Sequence, residues 1–234
     1  MEKQTDINKA VAQHIEMEDF WSGFSLKGKI TEPIQESQLV NESAKKGLEK
    51  LYAEIDACRG CVLGGTRKNT VPGEGSSAAQ IVFVGEGPGA DEDEQGRPFV
   101  GRSGNLLTNM IKAMGLDRSD VYICNTVKCR PPENRDPKPE EIVQCLPFLK
   151  QQLSLIRPQV IVALGAHAAK TLLDTNDAIG KLRGRFHDYY FDEDAEPIKL
   201  MPTYHPSYLL RSYSEDNRRR VWQDLQKVMV EVGL

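Results

Sequence analysis

The sequence predicts an α/β protein built on a parallel sheet. Two observations carry that prediction. Four apolar, branched runs recur at long intervals, Ile81 to Val84, Val121 to Cys124, Val160 to Leu164 and Ile198 to Met201, and the stretches between them contain helical segments at 104–115, 139–155 and 166–174. Short continuous apolar runs are the pattern of buried strands, and strands alternating with helices make a parallel sheet. In such sheets ligands sit outside the carboxyl ends of the strands, so the residues that follow each run are the ones to inspect.

The chain has 234 residues with 39% hydrophobic content, enough for one domain with a substantial core. Residues 1–44 are polar, interrupted by Pro33 and without sustained periodicity, and read as a largely disordered extension ahead of a domain over 45–234. Within the extension Phe20, Trp21, Phe24 and Leu26 form a short aromatic cluster, which either folds back onto the domain or docks on a protein partner. From Ser43 the pattern turns helical, with Leu48, Leu51 and Ile55 on one face and Asn41 or Ser43 as N-cap; this helix delivers Cys58 and Cys61. No leader pattern and no apolar stretch of about 18 residues occurs, which points to the cytoplasm and away from a membrane.

The net charge of −4 argues at first against a nucleic-acid partner. Residues 1–44, however, hold four lysines against eight acids, so the remainder is neutral overall. Within it bases gather at Lys128 to Lys138, Lys181 to Arg185 and Arg211 to Arg220. That distribution permits DNA binding without showing it.

The first strand run is followed by Gly85-Glu86-Gly87-Pro88-Gly89 and, further on, Arg97-Pro98-Phe99-Val100-Gly101. The second leads through Asn125 into Lys128-Cys129-Arg130-Pro131-Pro132-Glu133-Asn134-Arg135. The third ends in Gly165-Ala166-His167 and the fourth in Tyr204-His205-Pro206-Ser207. These ends supply side chains suited to base recognition or charge stabilisation, and none supplies a Ser-His-Asp set, a Walker phosphate loop or a dinucleotide fingerprint. Taken singly, the glycine loop, Asn125 and His205 each have an ordinary structural role; their joint placement at one sheet edge is the signal.

Four of the five cysteines suit a metal or cluster: Cys58 and Cys61 as a Cys-x-x-Cys pair, with Cys129 and Cys145 far downstream. Their spacing leaves zinc and iron-sulfur both open. Cys124, inside the second strand run, reads as a small buried hydrophobe.

Read together, GEGPGADEDEQGRPFVG, NTVKCRPPENR and HPSYLLR resemble, in order, the signature segments of the family 4 uracil-DNA glycosylases, and the resemblance runs from about Leu48 to about Val232. It implies a three-layer α/β/α sandwich on a short four-stranded parallel sheet, and a monomer that acts on uracil-containing DNA. It also implies a [4Fe-4S] cluster on Cys58, Cys61, Cys129 and Cys145, which decides against zinc. A related group that traps its product covalently carries a histidine-bearing insertion after the second strand; here CRPPENR is uninterrupted, so turnover is expected.

The same resemblance distributes roles. His205 donates to uracil O2 as negative charge develops there, Phe99 stacks on the extruded base, and Glu92 fills the space beside C5. Asn125 reads the uracil edge. Glu86 holds the attacking water, helped by the N–H groups of Gly87 and Gly89, with Asn134 a second candidate on the opposite wall. The family lacks an aspartate base immediately after the glutamate position, with Gly87 there, so general-base help is expected to be weak. Ser207, Tyr208, Leu209, Leu210 and Arg211 are expected to contact DNA and fill the vacated stack. Two other readings remain at this point: a binding protein of the same fold without turnover, and a zinc-stapled interaction module.

Overall fold

In a computed structural model, residues 35–191 and 196–234 are described, with the side chains of 41–191 and 196–234. The aromatic cluster around Trp21 lies outside them. Helix α1 spans Gln35–Ala57, so it begins ahead of the caps expected at Asn41 or Ser43 and takes in the last ten residues assigned by sequence to the extension.

The sheet has six strands in the order β1-β3-β2-β4-β6-β5: β1 Glu74–Gly75, β2 Ile81–Gly85, β3 Tyr122–Asn125, β4 Val160–Leu164, β5 His187–Tyr189 and β6 Ile198–Thr203. The four runs read from sequence form the parallel centre, β3-β2-β4-β6. The expected count of four is corrected by β1 and β5, which pair antiparallel at the two edges. At two and three residues they are too short for any hydrophobic period to reveal them.

Side-chain alternation along the central strands builds the three layers. Ile81, Phe83, Ile123, Val160, Val162 and Met201 face one side, where helices α4 (Arg102–Ala113) and α9 (Glu215–Glu231) cover them with residues such as Leu107, Ile111, Val221 and Leu225. Val82, Val84, Tyr122, Ile161, Ala163 and Leu200 face the other side, under α1, α5 (Pro139–Ile156) and α6 (Ala166–Leu173), through Leu48, Leu149, Leu153 and Ala169. The shorter helices are α2 (Leu63–Thr66), α3 (Ala90–Gln95), α7 (Ile179–Leu182) and α8 (Pro206–Arg211).

The chain leaves β2 for β3 on one side and reaches β4 on the other, so the order reverses between β2 and β4. Loops from neighbouring strands diverge at such a switch point and leave a crevice at the carboxyl edge. No described helix is long and apolar enough to cross a membrane.

Candidate active site

A cleft of about 690 Å³ opens at that crevice and is lined by the residues after β2 (Glu86, Gly87), β3 (Asn125), β4 (His167) and β6 (His205), with Phe99. The joint placement inferred from sequence is thus realised.

Its floor depends on a missing side chain. Gly85 pairs with Asn125 across β2 and β3, and a Cβ there would lie 2.4 Å from Asn125 Oδ1 and 2.6 Å from Phe99 Cζ. Only glycine lets the amide and the ring meet at the strand end. Asn125 is buried, and among the described residues its side-chain amide has no hydrogen-bond partner, so carbonyl and NH2 both remain available to a ligand. Its backbone is fixed instead: the Lys128 ammonium, itself buried, donates to the Asn125 carbonyl at 2.6 Å and to Gln152 Oε1 at 2.6 Å.

Phe99 is buried and holds a left-handed backbone, φ 52°, on the turn between α3 and α4. That turn is clamped by Glu92, whose Oε1 accepts from the N–H of Val100 (3.0 Å) and Gly101 (3.2 Å) while Oε2 accepts from Gly89 N–H at 3.1 Å. In sequence Glu92 stands amid Asp91, Asp93 and Glu94 and looks like plain surface charge; it is buried and ties the glycine loop to the Phe99 turn. Its carboxylate thereby forms part of the cleft wall.

His205 caps α8. Its Nδ1 accepts the Ser207 N–H at 3.0 Å and lies 2.8 Å from Ser207 Oγ, so the neutral ring carries its proton on Nε2. Removal from solvent, with Arg211 and His167 adding to it, lowers its pKa to about 4. The imidazole is therefore neutral at physiological pH and offers one N–H. Its ring centroid is 5.6 Å from that of Phe99.

Glu86 is half-buried on the cleft wall, and loss of solvent raises its pKa; His167 pulls it down and Asp136 pushes it up. Asn134, also on the wall with φ 55°, accepts from Arg130 Nε at 2.7 Å through Oδ1, which leaves its NH2 free to face the cleft. The loop carrying it is anchored by the Arg135–Glu141 pair, with contacts of 2.9 and 2.6 Å.

On α8 the expected DNA-facing set divides. Tyr208 and Arg211 are exposed, Ser207 and Leu210 partly so, with Ser207 Oγ accepting from Arg211 at 3.2 Å. Leu209 is corrected: it is 1% exposed and packs in the core beneath α8, because one helix turn cannot present every side chain outward. Two basic clusters read from sequence are likewise partly internal. Lys128 is buried, and Arg183 pairs with Asp224 at 2.7 Å while its guanidinium stacks over Tyr204.

Away from the cleft, Cys58, Cys61, Cys129 and Cys145 line one small cavity with Arg67, Lys128 and Phe148. Polar hydrogens point at the sulfurs: Arg67 Nη1 donates to Cys129 at 3.0 Å, Lys128 N–H to Cys145 at 3.2 Å and Gly60 N–H to Cys58 at 3.4 Å. Burial pushes the Cys145 thiol up to about 11, so any metal held there displaces a proton. Among the described residues no three of these sulfurs lie within 4.8 Å of one another. Tetrahedral zinc, with Zn–S of about 2.3 Å, needs sulfurs about 3.8 Å apart. The quartet surrounds a volume and does not converge on a point.

Sequence reasoning missed Gly85, Lys128, Arg67 and Asp136 as contributors, since none has a signal apart from its neighbours in space; His167 was visible only as a strand end.

The model of the uracil DNA glycosylase superfamily matches residues 72–226. The type-4 uracil-DNA glycosylase of Thermotoga maritima is 49% identical over 181 residues, covering 77% of this chain and 92% of the relative. Those of Sulfurisphaera tokodaii and Saccharolobus solfataricus are each 45% identical over 186 residues, covering 83% and 84% of the relatives. With the family model spanning residues 72–226 and these relatives 45–49% identical over 77% of its length, the chain belongs to the uracil DNA glycosylase superfamily, among its type-4 members.

Proposed function

We propose that the cleft receives a uracil flipped out of DNA and that the chain hydrolyses its N-glycosidic bond, releasing free uracil and leaving an abasic site. The observation that carries this reading is the combination of an unpartnered Asn125 amide, the Phe99 ring and the Nε2 proton of a neutral His205 in one cleft. The base lies against Phe99, and Asn125 accepts from N3–H while its NH2 donates to O4. The Glu92 wall stands beside C5, where a thymine methyl would collide.

As the bond breaks, the sugar becomes cation-like and the base anionic. A donor aimed at the developing charge stabilises the transition state more than the ground state. His205 Nε2–H supplies it at O2, and being neutral it does not attract the anionic backbone in its place. Glu86, with the N–H groups of Gly87 and Gly89 and the Asn134 amide, holds the attacking water. Tyr208, Leu210 and Arg211, around Ser207, face the DNA and occupy the space the base vacates.

The four cysteines fit a [4Fe-4S] cluster better than one zinc ion because their sulfurs ring a cavity and receive N–H donors. Bound there, the group supplies iron–thiolate bonds that staple the end of α1 to the β3–α5 loop and to α5. That loop also carries Asn134, so its anchoring bears on the cleft.

The test is release of free uracil from a labelled uracil-containing oligonucleotide, with a thymine-containing control. Release from the first alone is expected; an intact glycosidic bond despite tight binding would replace this reading with that of a binding protein.

One substitution probes the floor of the cleft. Gly85→Ala forces a Cβ against Asn125 and Phe99, and overpacking of this kind costs about 1–3 kcal/mol. Excision is expected to fall by ~10- to 100-fold with a modest drop in Tm, measured by single-turnover kinetics and calorimetry.

A further inference from the structure

His167, in the first turn of α6, belongs to none of the roles above. Its Nδ1 lies 3.9 Å from Glu86 Oε1 and its Nε2 3.5 Å from Asp136 Oδ2. The three groups form a compact carboxylate–imidazole–carboxylate cluster, one ligand atom from each lying within 4.8 Å of the others, with a different ring nitrogen nearest each carboxylate. A neutral imidazole can donate to only one of the two carboxylates; the imidazolium donates towards both.

We propose that His167 is a positioning residue for excision: standing between Glu86 and Asp136, it turns the Glu86 carboxylate towards the attacking water and, when charged, favours its anionic form. The inference rests on the glycosylase reading of the same cleft. In the step it serves, the water oxygen forms a bond to the sugar C1′, the C1′–N1 bond breaks with its electron pair passing to uracil, and the water proton goes to Glu86. His167 keeps its own proton throughout.

The surroundings of Glu86 fix the direction of the effect. Burial favours the neutral acid, Asp136 on the β3–α5 loop favours it further, and His167 on α6 opposes both. The other charged groups on the cleft are Arg135, already paired with Glu141; Arg211 on α8, beside the neutral His205; and Glu92 on α3, occupied by three backbone N–H groups. None of them replaces the His167 cation at the Glu86 carboxylate. Excision therefore declines as pH falls through the Glu86 pKa. Removing the His167 cation raises that pKa and moves the decline to higher pH, and removing the Asp136 anion moves it lower.

The experiment is single-turnover uracil release from pH 4.5 to 8.5 by wild type, His167→Gln and Asp136→Asn. Both side chains are substantially exposed, 47% and 73%, so the variants should fold, which circular dichroism verifies. His167→Gln is expected to shift the acid midpoint up by about 0.5–1 pH unit, a ~3- to 10-fold slower reaction on that limb, and the shift should shrink at high salt. Asp136→Asn should shift it down. Coincident profiles for wild type and His167→Gln, or an upward shift in Asp136→Asn, would overturn the role of His167. Absence of uracil release by the wild type at every pH would instead overturn the glycosylase reading itself.

Discussion

Cys145→Ala is expected to give colourless protein with little iron, a lowered Tm and poor solubility, whereas Cys124→Ala stays brown. Both thiols are largely buried and both lie near Lys128, but they differ in what their sulfurs face. Cys145 shares a cavity with Cys58, Cys61 and Cys129; Cys124 points from β3 into the core between the sheet and α5. If the quartet holds the proposed cluster, losing one ligand of four removes iron–thiolate bonds whose formation is coupled to folding, and it frees the end of α1 from the β3–α5 loop. Cys124→Ala removes one sulfur from a packed core, which costs about 1–2 kcal/mol and leaves the quartet intact. Iron per chain and visible absorption measure the first effect, and calorimetry the second. Bleaching by Cys124→Ala with colour retained in Cys145→Ala would reverse the ligand assignment. A colourless wild type carrying one zinc per chain would return the quartet to the zinc reading that cysteine spacing alone leaves open.

What the sequence reveals depends on whether a feature is written locally. The four parallel strands are legible because burial on both faces demands an unbroken apolar run, and their order in the chain brings His205, Asn125 and the glycine loop to one edge. The edge strands β1 and β5 are not legible, because two or three residues carry no period. Charge is the least legible feature. Lys128, Arg183 and Arg135 look like members of basic surface clusters, yet they serve an Asn125 carbonyl, an Asp224 carboxylate and a Glu141 carboxylate. A run of bases in sequence says nothing of which partner lies across the fold. Leu209 fails for a related reason: HPSYLLR reads as one contiguous DNA-facing segment, and folding it into a helical turn sends Leu209 inward while Tyr208 and Arg211 stay outside. Glu92 is the converse case, an acid in an acidic stretch that the fold recruits to clamp two loops.

Asn125→Asp is expected to reduce uracil excision by orders of magnitude while leaving the fold in place. The backbone at this position is held by pairing with Gly85 and by the Lys128 ammonium, neither of which involves the side-chain amide, so the exchange of NH2 for O changes chemistry more than geometry. Uracil presents a donor at N3 and an acceptor at O4, and in the proposed pose the amide meets both. A carboxylate still accepts from N3–H, but it sets a charged acceptor against O4. Leaving a buried polar group unpaired costs about 1–3 kcal/mol, more where a charge is involved. Two disturbed contacts therefore correspond to roughly a 10- to 10,000-fold loss, at about 1.4 kcal/mol per decade. The position is only 2% exposed, which also favours the protonated acid. In that form the Asp hydroxyl can donate to the bare N3 of cytosine while its carbonyl accepts from the cytosine amine, so slow cytosine release is an allowed gain. The measurement is single-turnover excision from matched uracil and cytosine oligonucleotides by both proteins, with visible absorption and circular dichroism confirming equal folding. Equal uracil rates in wild type and Asn125→Asp would remove Asn125 from base recognition, and the selectivity of the cleft would then rest on the Glu92 wall and His205.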